Sequence, residues 1–138
     1  MIDDTFKKIQ AALDQHEKDS GAKLVKEPGI YEFSCGVLDV DIDTNKVPSC
    51  ELRLSGGADV FAVFWNAHMK EDKIQHYSAI QLRIIEAFFN KKIVIVKYSK
   101  AGFLGIRRKT SAYAIQTGEG FTDFHGKAIL DISTTTPV

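Results

Sequence analysis

Two short stretches hold the side chains best suited to binding a ligand. Trp65, Asn66 and His68 sit together at the end of an apolar run, and an indole face beside an amide and an imidazole can stack on a sugar ring while hydrogen-bonding its hydroxyls. Phe103, Arg107, Arg108 and Lys109, with Lys97 and Lys100 upstream, gather cations around one aromatic ring. That composition suits single-stranded nucleic acid, held by base stacking and phosphate pairing. It equally suits an acidic partner or a sialylated glycan, whose carboxylate an arginine would grip. Each stretch also has a plainer account, since a tryptophan commonly serves the core and a Lys/Arg-rich segment is commonly a solvated loop.

Other patterns point away from catalysis and metals. Asp39, Asp41, Asp43 and Asn45 spell DxDxDxN, the alternation of oxygen ligands found in calcium loops, but position six is Thr44 where such a loop needs glycine, and position twelve is Cys50 where it needs glutamate. Their alternation with Leu38, Val40 and Ile42 predicts the solvent face of a strand. His16, His68, His76 and His125 form no zinc-binding pattern, and no nucleophile elbow, P-loop or GxGxxG occurs. The chain is therefore expected to be non-catalytic, with no metal or cofactor. Cys35 and Cys50 are expected as free thiols, a disulfide between them being open only in an oxidising compartment.

The 18 basic and 18 acidic side chains cancel, which removes the broad attraction on which non-specific nucleic-acid binders rely. No segment has the apolar run of a signal peptide or the ~20 apolar residues of a membrane helix. A cytoplasmic location without membrane insertion follows as an expectation, or a secreted one if a leader has been removed.

Periodicity predicts the elements that position these residues. Phe6, Ile9, Leu13 and His16, spaced by three and four ahead of Ser20-Gly21, predict an amphipathic helix of about four turns. Its narrow stripe places it outside the domain or against a neighbouring copy, and residues 23–29 read as a connector. From Ile30 the period becomes two, with Tyr31, Phe33 and Cys35 on one parity and Leu38, Val40 and Ile42 on the other. A single bent strand with a bulge near Gly36-Val37 accounts for that switch. Cys50, Leu52 and Leu54 mark a return strand. Val60 to Trp65, apolar on both faces, predicts the most buried strand of the meander. Lys70 to Lys92 reads as a helix with Ile74, Tyr77, Ile80 or Gln81, Ile84, Ile85 and Phe88 on one side. Strands follow at Ile93–Tyr98 and Ser111–Thr117, separated by the cationic loop, and another lies around Lys127–Ile132 before a frayed Thr-rich tail.

A mainly β, α+β fold results, in the order of an OB-fold: a five-stranded Greek-key barrel with a helix between strands three and four, plus an N-terminal helix. Residues 1–28 would form the helix and connector, and 29–134 the barrel. The run HYSAIQLRIIEAFFNKKIVIVKY, His76 to Tyr98, resembles the OB-fold receptor-binding subunits of bacterial pentameric AB toxins such as subtilase cytotoxin, and the likeness extends over about Tyr31 to Thr117. The resemblance implies a ring-forming homo-oligomer that binds a glycan or surface glycoprotein, and it carries over no sugar-binding residue.

The functional expectation is a non-catalytic, oligomeric binding domain for a carbohydrate or a protein surface. A single-stranded nucleic-acid binder using Lys97 to Lys109 is the first alternative. A structural subunit of a phage or secretion assembly is the second; its N-terminal helix would make the interchain contact, so that deleting residues 1–22 dissociates the oligomer without unfolding the barrel.

Overall fold

The parity switch at Gly36 is a hairpin. A computed structural model describes residues 2–20, 23–56, 59–101, 107–130 and 132–138, with side chains at 2–3, 17–20, 59, 98–101 and 107–110 outside the description. In it β2 (Ile30–Cys35) turns directly into β3 (Leu38–Asp43), with Cys35 paired to Leu38. Gly36 has φ 59 and Val37 is not among the positive-φ residues, the signature of a two-residue turn with glycine at its first central position. A hairpin of this length keeps paired residues on one face, so Phe33 meets Val40 and Tyr31 meets Ile42. A bulge and a two-residue turn produce the same parity change in sequence. Here the strand reverses where a bent barrel strand would have continued.

The fold divides into two units, residues 1–86 and 87–138. In the first, β1 (Lys23–Glu27), β2, β3, β4 (Ser49–Gly56) and β5 (Asp59–Asn66) form an antiparallel meander in that spatial order. The expected connector is thus a strand. Pro28 and Gly29 (φ 78) link it to β2, as a Pro-Gly pair does when glycine takes the left-handed position. The atoms a Cβ on Gly29 would meet belong to the exposed side chain of Asn45, which can turn aside, so the backbone conformation is what demands glycine here. With β1 and β5 as its two edges, this sheet is open and does not close into the expected barrel.

The inner face of the sheet carries Tyr31, Phe33, Leu38, Val40, Ile42, Cys50, Leu52, Leu54, Val63 and Trp65, all buried. Both helices serve this core. In α1 (Ile2–Ser20), Phe6, Ile9 and Leu13 are buried and Phe6 stacks on Trp65 with centroids 4.9 Å apart. The narrow stripe expected to stay outside therefore lies inside, because three large side chains at i, i+3 and i+7 are enough to cover a small sheet. In α2 (Glu71–Phe89), Ile74, Ile80, Ile84 and Ile85 are buried, and Gln81 is buried beside them. Glu71 and Asp72 in its first turn suit the positive end of the helix dipole. The helix ends where Lys91 N–H donates to Phe88 C=O and Lys92 N–H to Ala87 C=O. That is a Schellman closure, with Lys91 (φ 57) in the left-handed position usually given to glycine.

In the second unit β6 (Ile93–Ala101) and β7 (Arg107–Thr117) form a long hairpin, flanked by β8 (Gly120–Thr122) and β9 (Thr134–Pro137) in the order β8-β7-β6-β9. Val94, Val96 and Ala114 form its core with Phe121, Ile129 and Ile132 packed on them. The tail expected to fray is β9, pairing Val96 with Thr135 and Val94 with Pro137. β-branched threonines favour a strand, and a proline is tolerated because β9 is an edge. Among the described residues the strand expected around residues 127–132 is reduced to one bridge, Thr122 to Ala128. Among the described residues no helix is long and apolar enough to cross a membrane.

Candidate functional site

Side chains alternate along a strand, so each inward residue of the meander has an outward neighbour. The outward set of the five-stranded sheet is half-buried or exposed throughout the described side chains. Its central row, read across the register, is Val25, Glu32, Asp41, Glu51 and Phe64. The next row holds Lys23, Ser34, Asp39, Arg53 and Ala62. Val60, one step further along β5, is 64% exposed, and Phe64 is 42% exposed.

Arg53 organises the middle of this face. Its guanidinium donates to Glu51 and, at 2.8 Å, to Asp41 Oδ2. Partial burial pulls its pKa down, but the Glu51 hydrogen bond and the Asp41 charge more than reverse this, and the net direction is up. Asp39 accepts from Ser34 Oγ at 2.6 Å, and Asp43 Oδ1 accepts from Asn45 N–H at 2.8 Å. The alternating aspartates thus lie on the solvent side, ~7 Å apart along one strand and directed in parallel. Among the described residues no group of three or more His, Cys, Asp or Glu converges on a metal position.

The residues singled out in the sequence are dispersed by this arrangement. Trp65 is fully buried on the inner face, its Nε1–H donating to Gln81 Oε1 at 2.7 Å, so it is core and presents no edge to a sugar. The outward aromatic is its neighbour Phe64, one residue away on the opposite parity. Asn66 shares Phe64's side, but its Oδ1 accepts the N–H of His68 at 2.9 Å and shapes the turn that follows; His68 itself is exposed. Phe103 lies outside the described residues. Arg107, Arg108 and Lys109 are strand residues of β7, paired with Ala101, Lys100 and Ser99; the expected cationic loop is largely hairpin, and their side chains lie outside the description.

A concavity of about 310 Å³ opens between α1 and the β1–β3 end of the sheet, lined by Gln10, Asp14, Lys26, Tyr31 and Thr44 among others. Asp14 accepts from Tyr31 Oη at 2.8 Å and pairs with Lys26 at 3.6 Å. Its charges answer one another, and it offers a ligand less than the sheet face does.

Cys35 and Cys50 are both thiols, as expected. They share the inner face but stand two strands and four residues apart, on the order of 16 Å, beyond the ~7 Å a disulfide can span. Burial pushes the Cys50 thiol up to about 12, against the Gln81 hydrogen bond that lowers it and the Asp41 and Glu51 charges that add to the rise. Because the folded value exceeds the unfolded one, the unfolded chain loses this proton first. The contribution to stability is whole below pH ~9 and is lost as pH climbs toward ~12. Urea unfolding at pH ~8 and ~10.5 should show a loss of about 2 kcal/mol from this group, absent in Cys50→Ala. A slope unaltered by the substitution would assign the loss elsewhere.

Among the described residues the fold and the face together define an α+β chain, mostly strand, with two helices and an open five-stranded antiparallel sheet whose outer side is a charged platform with an apolar edge. No family model matches the chain, and no curated protein or solved structure matches it.

Proposed function

We propose that this chain is a non-catalytic binding module that takes a protein surface on the outer face of its five-stranded sheet. Phe64 and Val60 act as apolar anchors, with Arg53, Glu51 and Asp41 as a fixed polar surround. One observation carries the reading: two large apolar side chains stand exposed on the outward side of an edge strand, beside charges already held in place by Arg53. Anchors of this kind, ringed by polar groups that need little reorganisation, are what protein-binding patches use. The likeness of residues 76–98 to toxin receptor-binding subunits supports an oligomeric binding role in the same direction.

A carbohydrate is the second reading, favoured by the exposed Phe64 ring directly across from Glu51, since an aromatic face beside a carboxylate is also how sugars are held. A photo-crosslinking phenylalanine analogue placed at position 64 tests the main reading in living cells. It should yield a protein adduct that the same analogue at Lys73, an exposed position of α2 off the sheet face, does not, and Phe64→Ser should remove at least tenfold of the affinity for the captured partner, with circular dichroism unchanged. Equal cross-linking at both positions would discard the site. A hit on a glycan array that Phe64→Ser abolishes, without any adduct, would transfer the face to the second reading.

A further inference from the structure

The neutral total charge hides a division. Residues 1–86 hold ten basic and fifteen acidic side chains, a net −5, and residues 87–138 hold eight basic and three acidic, a net +5. Within the first unit the outward sheet face carries Glu27, Glu32, Asp39, Asp41, Asp43 and Glu51 against Lys23 and Arg53. Glu32, Asp41 and Glu51 are direct cross-strand neighbours. Like charges placed directly opposite one another destabilise a sheet, and Arg53 reaches only two of the three. A cationic surface laid on this row would relieve that repulsion.

Resting on the binding role just proposed for this face, we infer that its occupant is a second copy of this chain, docked through its basic residues 87–138. Charge complementarity selects the occupant: the same molecule supplies −5 on one unit and +5 on the other, so each copy carries both halves of the contact. Such a contact is heterologous, head to tail, and can repeat from copy to copy. A five-stranded face of six-residue strands measures roughly 20 by 20 Å, about half of the ~800 Å² per partner found in stable complexes. The association is therefore weak, concentration-dependent and sensitive to salt.

Light scattering of the full chain over a concentration series, at about 0.05 M and about 0.5 M salt, tests this. At low salt the mass should rise above that of one chain, and at high salt it should return to it. Asp41→Lys with Glu51→Lys should abolish the rise, as should Lys97→Glu with Lys127→Glu, two exposed positions of the basic unit. Circular dichroism reports whether each variant is folded. Mixing the two variants should restore association, because the reversed face of one then meets the reversed unit of the other. A single-chain mass for the wild type at low salt overturns the inference, as does association that survives high salt or both reversals. Retention of a monomeric wild type on an oligonucleotide also overturns it, assigning the basic unit to a polyanion. None of these results touches the adduct expected at position 64, so the self-docking inference can fail while the binding face stands.

Discussion

Removing residues 1–20 is expected to unfold residues 23–86 and to leave no cooperative transition in urea. Phe6 is 4% exposed and stacks on Trp65 of the inner face, and Ile9 and Leu13 on the same side of α1 are fully buried. Truncating such side chains one at a time costs about 2–5 kcal/mol each, with an aromatic at the upper end. Losing all three together costs on the order of 10 kcal/mol, comparable with the entire ~5–15 kcal/mol stability of a small domain. Trp65 is the only tryptophan, and its ring stacks on Phe6 at an interplanar angle of 27°. Near-ultraviolet circular dichroism and indole emission therefore report the loss directly. A truncated chain that keeps the native Trp65 signal and a sigmoidal unfolding curve would show that α1 is dispensable, as a helix serving only an interchain contact would be. The single substitution Ile9→Ala, costing about 2–5 kcal/mol, gives the graded version of the same result.

The second large effect belongs to Gln81. Its Nε2 donates to Val63 C=O at 3.0 Å and to Cys50 C=O at 3.4 Å, while its Oε1 accepts from Trp65 Nε1–H at 2.7 Å. One side chain on α2 thus ties the helix to β4 and β5 and satisfies the only polar atom of the buried indole. Gln81→Leu keeps the volume and removes every one of these bonds, leaving the indole N–H buried and unpaired. An unsatisfied buried donor costs about 1–3 kcal/mol. Because the Val63 and Cys50 carbonyls give up a donor as well, a decrease of about 2–4 kcal/mol is expected in urea unfolding. Trp65→Phe in the same background should cost less than it does alone, because the orphaned donor is gone; the coupling should exceed ~0.5 kcal/mol. Additive losses would mean that the Gln81–Trp65 bond contributes little and that packing alone sets the position of α2.

Gln81 also shows how far periodicity reaches. The spacing in residues 70–92 puts either Ile80 or Gln81 on the buried side, and both are buried. Hydropathy ranks an isoleucine above a glutamine, but it cannot report that an indole N–H lies within reach on another strand. The run Val60–Trp65 is a second case. Apolar residues on both parities predict a strand buried on both faces, yet β5 is an edge with Val60 and Phe64 exposed. An edge strand with an apolar outer side and a buried central strand have the same residue pattern, and only the position in the sheet separates them. The candidate face is therefore visible in the sequence as composition but reads there as core, which is also why the pattern points to Trp65 where the exposed aromatic is Phe64.

By itself the chain's residue order determined the local elements: the helix of residues 71–89, the alternation in β2, β3 and β4, and which parity of each of those three strands is apolar. These depend on the i to i+4 and i to i+2 geometry of neighbouring residues, which the chain carries along its length. Tertiary structure alone decided whether Gly36 bends a strand or reverses it, whether the sheet closes or stays open, that α1 belongs to the core, and that Glu32, Asp41, Glu51 and Phe64 stand in one row. Those outcomes depend on pairings between residues distant along the chain or on which alternative packs better. Spacing along the chain is the same for either choice, whereas the apolar area removed from water is not.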